Sequence, residues 1–385
     1  MLRRTNSFAR SLGLNREEVH LHTAEVKSAL KMAALSDQAV TELFARYRNE
    51  LRLHCYRMLG SSHDTDDVLQ EAAVRAWRSK ASLLEPAHGR AWLYRIATNV
   101  CLDELERRKS RCLPFEAGPP TAVVDLASAK AEREAWIEPC PGAWCAGVTA
   151  GPEARYQTRE GVTLAFVAAL QHLTATQRAT LLLRDVVGLS AEETARALEL
   201  GLEATNSALF RARKAVETKL QGQAPPELAP PGSAVAGLLA RYLAAWNDVR
   251  VDAFIELLHD DVRTTMPPFP MWIAGRADNV AFYRPMFAAQ RPGSFRAVST
   301  DANGGPAFAF YRAQMPGGPL RLRAIQLVEL RDQLIVSIDH FVLPELGRVF
   351  GLADDFAGES EQFPSDRQSH LQDCLADNAK ERPEQ

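Results

Sequence analysis

The sequence has no long apolar run. Nowhere in its 385 residues does a stretch approach the ~18 consecutive apolar positions that a spanning helix needs, so no membrane association is expected. Cysteine is scarce, six residues in all, too few for a disulfide scaffold in a chain of this length. Cys140 and Cys145 are spaced C-x4-C, and the other four are scattered. No His or second Cys pair stands at ligand spacing beside them, so reduced thiols are the better reading and no metal or cofactor is expected. The arginine-rich N-terminus lacks the apolar core and cleavage site of a secretory signal, so a cytoplasmic location is expected. A strong charge excess is also missing, since the formal net charge is −3. Its distribution says more. From Ala353 onward nine acidic residues face three basic ones, leaving about +3 on the rest of the chain. Hydrophobic (46%) and charged (24%) residues stand at levels ordinary for globular protein, and the length suits two or three domains.

Breakers divide the chain. Residues 1–36 read as a polar N-terminal extension and 37–112 as a helical module. Residues 113–158 form a linker holding Pro114, Pro119, Pro120, Pro139, Pro141 and Pro152. Residues 159–221 are helical again. Residues 222–233, with Pro225, Pro226, Pro230 and Pro231, form a Pro-rich linker. Residues 234–352 begin with helical segments and continue with alternating strands near 294–300, 306–313, 320–330 and 333–342. Residues 353–385 read as an acidic, disordered tail. The expectation is a multidomain chain of two all-α modules and one α+β domain.

In the first module, the segment 64–77 placed on a helix puts Leu69, Ala72, Ala73, Ala76 and Trp77 on one apolar stripe, expected to be core. Asp67, Gln70, Glu71 and Val74 share the opposite stripe, which is either a solvated face or a dock for a basic partner. The segment 90–111 buries Leu93, Ile96, Ala97, Val100 and Cys101. Asn99 and Asp103 stand one turn apart on its polar side. Its end is basic, with Arg107, Arg108, Lys109 and Arg111, which suits the helix dipole or contact with phosphate.

The second module carries two capping boxes, Thr174 with Gln177 and Ser190 with Glu193. Two helices around Leu200-Gly201-Leu202 fit a helix-turn-helix. On the last helix Thr205, Ala208, Leu209, Ala212 and Val216 fall on a buried stripe. Glu203, Ser207, Phe210, Arg211 and Lys214 fall on the other, with Asn206 and Arg213 at its edge. An aromatic ring among cations suits a major groove better than plain solvent.

The D-D-V-x-Q-E-A helix, the A-W-L-Y-R-I-A-x-N-x-x-x-D-x-x-R-R stretch and the L-x-x-L-T-x-x-Q-R run resemble regions 2 and 4 of the extracytoplasmic-function (ECF) sigma factors of the sigma-70 family. The resemblance spans about residues 39–220. It implies that Asp66, Asp67, Gln70 and Glu71 bind the β′ coiled coil of core RNA polymerase. By the same resemblance Trp92, Arg95, Asn99, Asp103, Arg107, Arg108 and Lys109 bind the −10 promoter element. Glu203, Asn206, Ser207, Phe210, Arg211, Arg213 and Lys214 then read the −35 element, with region 4 on the β flap. One departure is Glu203, where a small polar residue is more usual; it would repel phosphate and suits a cytosine amine. The Trp136-Ile-Glu-Pro-Cys-Pro-Gly142 piece resembles a linker found in the subgroup with a fused C-terminal domain, which implies a path along the polymerase surface.

The last domain resembles SnoaL-like cone folds through its order of helices then sheet, its M-P-P-x-P-x-W-x-x-G loop and its terminal F-x-x-P-x-L-x-x-x-F-G-L segment. Met266, Trp272 and Asp339 are candidates to line a pocket. His259, Asp260, Asp261, Asp339 and His340 are acid–base candidates, but Asp339 and His340 are neighbours on a strand and point to opposite faces. The expected function is therefore a non-enzymatic sigma factor that binds core polymerase and promoter DNA, with a regulatory C-terminal domain open to an anti-sigma protein or small ligand. The alternative is a transcription factor whose cone domain is an enzyme or small-molecule sensor.

Overall fold

In the computed structural model, residues 36–83, 88–108, 110–121, 130–132, 136–145, 161–221, 233–291, 293–315 and 317–356 are described. Almost all of the expected N-terminal extension, most of both linkers and of the acidic tail, and Lys109 lie outside them.

Helices α1 (Asp37–Leu59), α2 (Ser62–Arg78) and α3 (Gly89–Arg107) form the first module. Ser36 and Ser61 cap α1 and α2, their side chains accepting from Ala39 N and Asp64 N. Between them Gly60 turns the chain at φ 68°, a conformation that favours glycine. The buried stripes are Leu51, Cys55 and Met58 on α1, Val68, Leu69, Ala72 and Ala76 on α2, and Leu93, Ala97, Val100 and Cys101 on α3. Trp77 departs from expectation and is 52% exposed. It falls one residue round the helix from the Leu69–Ala72–Ala76 stripe, and its ring lies beside the Lys80 ammonium.

The second module holds α4 (Leu164–Gln171), α5 (Ala175–Leu181) with a π turn (Leu182–Val186), α6 (Ala191–Ala197) and α7 (Leu202–Leu220). Both expected capping boxes form. On α7 the buried residues are Thr205, Ala208, Leu209, Ala212 and Val216, the predicted stripe.

The third unit begins with α8 (Ala234–Asn247) and α9 (Val251–Ile255) and includes α10 (Arg276–Ala288). These cover one face of a six-stranded sheet. Its strands are β1 (Leu258–Thr265), β2 (Trp272–Ala274), β3 (Phe295–Ala302), β4 (Gly305–Ala313), β5 (Leu320–Arg331) and β6 (Leu334–Phe341), ordered β2-β1-β6-β5-β4-β3. β1 runs parallel to β6 and the other pairs are antiparallel. A last helix, α11 (Leu346–Phe350), follows. The chain is thus two all-α modules followed by an α+β domain. Among the described residues no helix is long and apolar enough to cross a membrane.

The cores do not respect the module boundaries. One apolar cluster joins Leu93, Ala97 and Val100 of α3 to Leu170, Leu182, Leu209 and Val216 of the second module. A second joins the outer sheet face (Ala307, Ala309, Tyr311, Ile325, Phe341) to Leu53 and Tyr56 of α1, Ile137 and Trp144 of the linker, and Val162 and Leu164. The third fills the cone itself, where Tyr242, Trp246, Phe254, Tyr283, Phe287, Phe308 and Phe310 pack with ring centroids 4.5 to 6.3 Å apart.

Candidate nucleic-acid interface

On α2, Asp67 and Gln70 are exposed, Glu71 and Asp66 partly so. Two of the four expected polymerase contacts are already paired. Asp66 meets Arg52 at 2.8 Å, and Glu71 accepts from Arg75 Nε at 2.8 Å. Arg75 also donates to Asp103 on α3 at 2.6 Å, so one guanidinium ties the two stripes together. The result is a groove of about 310 Å³ lined by Asp67, Glu71, Arg75, Asp103 and Arg107.

The expected −10 residues divide. Trp92 donates its indole N–H to Ser82 Oγ at 2.9 Å, and Asn99 is half-buried. The Arg107 side chain is 72% exposed. Arg108, its side chain 39% exposed, meets the buried Asp64 carboxylate at 2.7 Å, where Arg111 also binds at 2.7 Å. Its bond to Asp64 makes it a structural tie in this state, unlike the backbone anchor that its place in the basic run suggested. Arg95 pairs with Glu199 of the helix-turn-helix at 3.1 Å, and Arg90 donates to Val187 O at 3.0 Å. Helix α3 and the helix-turn-helix unit therefore touch.

All seven expected −35 residues are exposed on α7. Phe210 is 70% exposed. Arg211 donates to Ser207 Oγ at 2.9 Å, one turn back. Arg213 is held by Asp185 in two bonds of 2.6 and 2.8 Å, which raises its pKa further.

A polar knot joins the units. The Glu138 carboxylate accepts from Ser61 Oγ at 2.8 Å and His63 N at 3.0 Å at the start of α2. Asn303, in the β3–β4 turn at φ 50°, is 4% exposed. Its amide oxygen accepts from Cys140 N at 3.0 Å. Its amide nitrogen donates to Tyr56 Oη at 2.8 Å and Val162 O at 2.7 Å. One side chain so contacts all three other parts of the chain. Pro141 bridges to Ala302, and a Cβ on Gly142 would collide with the Asp301 carboxylate, so glycine permits this close approach. Arg178, 1% exposed, donates to Met58 O at the end of α1, to Gln171 and to Leu173 O. Burial lowers its pKa to about 10. Its carbonyl partners stand at a helix C-terminus, where a cation is favoured.

The pocket candidates part company. Trp272 donates its indole N–H to Gly118 O of the linker at 2.8 Å, and Met266 is buried. Asp339 lines a cavity of about 40 Å³, but on the outer sheet face beside Thr163 and Asn303. The three therefore share no pocket inside the cone, whose interior is filled by aromatic rings. His340 faces that interior, bonded to Gln326 at 2.9 Å, and burial lowers its pKa to about 4. His259 and Asp261 lie together near Arg331 at the exposed end of β1, and Asp260 lies beside Arg276. Among the described residues no group of three or more His, Cys, Asp or Glu side chains could hold a metal.

Residues 43–111 match the Sigma-70 region 2 family, 163–216 the Sigma-70 region 4 family and 239–338 the SnoaL-like domain family. The chain is 39% identical over 303 residues to the ECF RNA polymerase sigma factor SigG of Mycobacterium tuberculosis, covering 78% of this chain and 81% of SigG. The chain belongs to the ECF sigma factors. It is a promoter-recognising sigma factor of RNA polymerase with a SnoaL-like C-terminal domain. It is also 30% identical over 175 residues to SigM of M. tuberculosis, covering 46% of this chain and 74% of SigM. The crystal structure of M. tuberculosis SigJ superposes with a TM-score of 0.53 at 21% identity, over 81% of this chain and all of that one, and shows the same fold.

The sequence did not single out Arg75, Glu199, Tyr56 and Asn303, which make the contacts between elements described above. Arg75 was legible, standing four residues from Glu71 on the polar side of α2. Asn303 had only its Asn-Gly-Gly turn as a signal.

Proposed function

We propose that the SnoaL-like domain holds this sigma factor in a closed resting state, from which regions 2 and 4 must separate to initiate transcription. The observation that carries the reading is the 3.1 Å pair between Arg95 of the −10 helix and Glu199, three residues before the −35 helix. The promoter elements are named for positions about 25 base pairs apart, roughly 85 Å along duplex DNA at ~3.4 Å per pair. Readers that touch cannot serve both at once. Asn303, Glu138 and the linker segment 136–145 support the role of the C-terminal domain as the clamp.

In the open state Asp66, Asp67, Gln70 and Glu71 would meet polymerase, with Asp66 and Glu71 exchanging their arginine partners for basic residues of the β′ coiled coil. Trp92, Arg95, Asn99, Asp103 and Arg107 would serve the −10 element. Glu203, Asn206, Ser207, Phe210, Arg211, Arg213 and Lys214 would serve the −35 element. Phosphate contacts set affinity and position, and base-edge contacts set sequence. The aromatic filling of the cone favours a structural clamp over an enzyme, since a turnover site needs a concave cavity.

Run-off transcription with core polymerase tests this, comparing the full chain with one stopped near Gly222 on DNA carrying its own upstream region. The reading expects specific transcripts from both, and more from the shortened chain. Equal or greater output from the full chain would contradict the clamp.

A further inference from the structure

The outer sheet face carries a polar patch apart from the promoter and polymerase residues proposed above. Arg263 and Thr265 on β1, Glu329 on β5, and Ser337 and Asp339 on β6 are neighbours in the strand registers. Asp339 is 1% exposed, and both its oxygens accept, one from Thr265 at 2.7 Å and one from Ser337 at 3.0 Å. The Arg263 guanidinium donates to Ser337 at 3.1 Å and lies 3.8 Å from the Phe115 ring of the linker. Glu329 and Asp339 line the cavity of about 40 Å³, with Asn303 of the β3–β4 turn beside them, and Thr163 and Leu164 close it from the sigma side. That space suits about one water molecule. Asp339 is thus buried while Glu329 and Arg263 are left partly exposed, and a surplus carboxylate drawn out of bulk water is costly unless it takes up a proton.

We propose that docking of the C-terminal domain onto the linker and region 4 takes up one proton at Glu329, making the closed arrangement a proton-linked state. This rests on the resting state proposed above. The groups facing Glu329 are Asp339 on β6 and Arg263 on β1; Thr163 and Phe115 from the opposing elements, and Asn303 from the β3–β4 turn, carry no charge. Burial and then Asp339 raise the Glu329 pKa from 4.5 to about 7, against the opposing pull of Arg263. In the undocked chain the carboxyl faces water and returns towards 4.5. The docked state therefore holds the extra proton between these two values. Closing is strongest below the lower value, weakens about tenfold per pH unit above it, and levels off beyond about 7.

The experiment is a distance measurement in the full chain, with labels at the exposed Gln38 in region 2 and Glu217 in region 4, from pH 5.5 to 8. The closing constant is expected to fall roughly thirtyfold across that range, one proton's worth. Glu329→Gln, a neutral isostere, is expected to lose this dependence and stay closed. Arg263→Gln removes the opposing cation and is expected to move the midpoint to higher pH. Equal pH dependence in the wild-type and Glu329→Gln chains would overturn the proposal while leaving the clamp intact. The same labels in an Asn303→Ala chain test the clamp itself, and failure of that variant to open would overturn the resting state and the proposal with it.

Discussion

Asn303→Ala is the sharpest perturbation of the closed state. The side chain makes three hydrogen bonds at 2.7, 2.8 and 3.0 Å, to Val162 O, Tyr56 Oη and Cys140 N. Each is worth about 1 kcal/mol net, and a buried group left without its partner costs about 1–3 kcal/mol. Val162 O loses its Asn303 donor and Cys140 N its Asn303 acceptor. The expected loss is about 4 kcal/mol of docking free energy, or roughly a thousandfold shift towards the open form, since ~1.4 kcal/mol is tenfold. Alanine at φ 50° adds strain of about 1 kcal/mol in the turn itself. Asn303→Gly removes the amide without that strain and separates the two effects. The assay is run-off transcription together with the Gln38–Glu217 distance. Both variants should open, and both should raise specific transcription. An unchanged distance and unchanged transcript yield in Asn303→Gly would refute the reasoning.

Other consequences concern the interfaces and the joint. Arg211→Ala and Lys214→Ala should each weaken promoter binding and lower the slope of log affinity against log salt by about 1; an unchanged slope would return that face to solvent. Asp67→Ala with Glu71→Ala should reduce affinity for core polymerase, and undiminished binding in a pull-down or titration would remove the acidic stripe from the interface. Arg178→Ala should destabilise the free chain by about 2–4 kcal/mol in urea unfolding, because it strips Met58 O, Leu173 O and Gln171 of a donor. A loss below about 0.5 kcal/mol would mean that those carbonyls find other partners.

The helical modules were legible because their signals are local. Capping boxes at Thr174 and Ser190 and the 3.6-residue stripe on α7 need no tertiary information. Strands β3 to β6 were legible by alternation. β1 was not, because His259, Asp260 and Asp261 disfavour a strand locally, and only pairing with β6 makes it one. The seven −35 candidates were placed on the exposed face by period alone, yet period could not show that Arg213 is bound to Asp185. Nor could the basic run at the end of α3 show that Arg108 pairs with the buried Asp64 in the free chain. The joint was hidden most deeply. Tyr56, Cys140, Val162 and Asn303 are far apart in sequence, and no pattern within any one segment brings them together. The Trp136–Gly142 piece stood out in the linker as apolar, and in the free chain its Ile137 and Cys140 pack against the sheet.

The central claim is that the free sigma factor is closed and the working one open. The most direct measurement is the Gln38–Glu217 distance in the free full-length chain and in its complex with core polymerase and promoter DNA. The account predicts one short distance in the free chain and an increase of several tens of ångströms in the promoter complex. The same distance in both would contradict it.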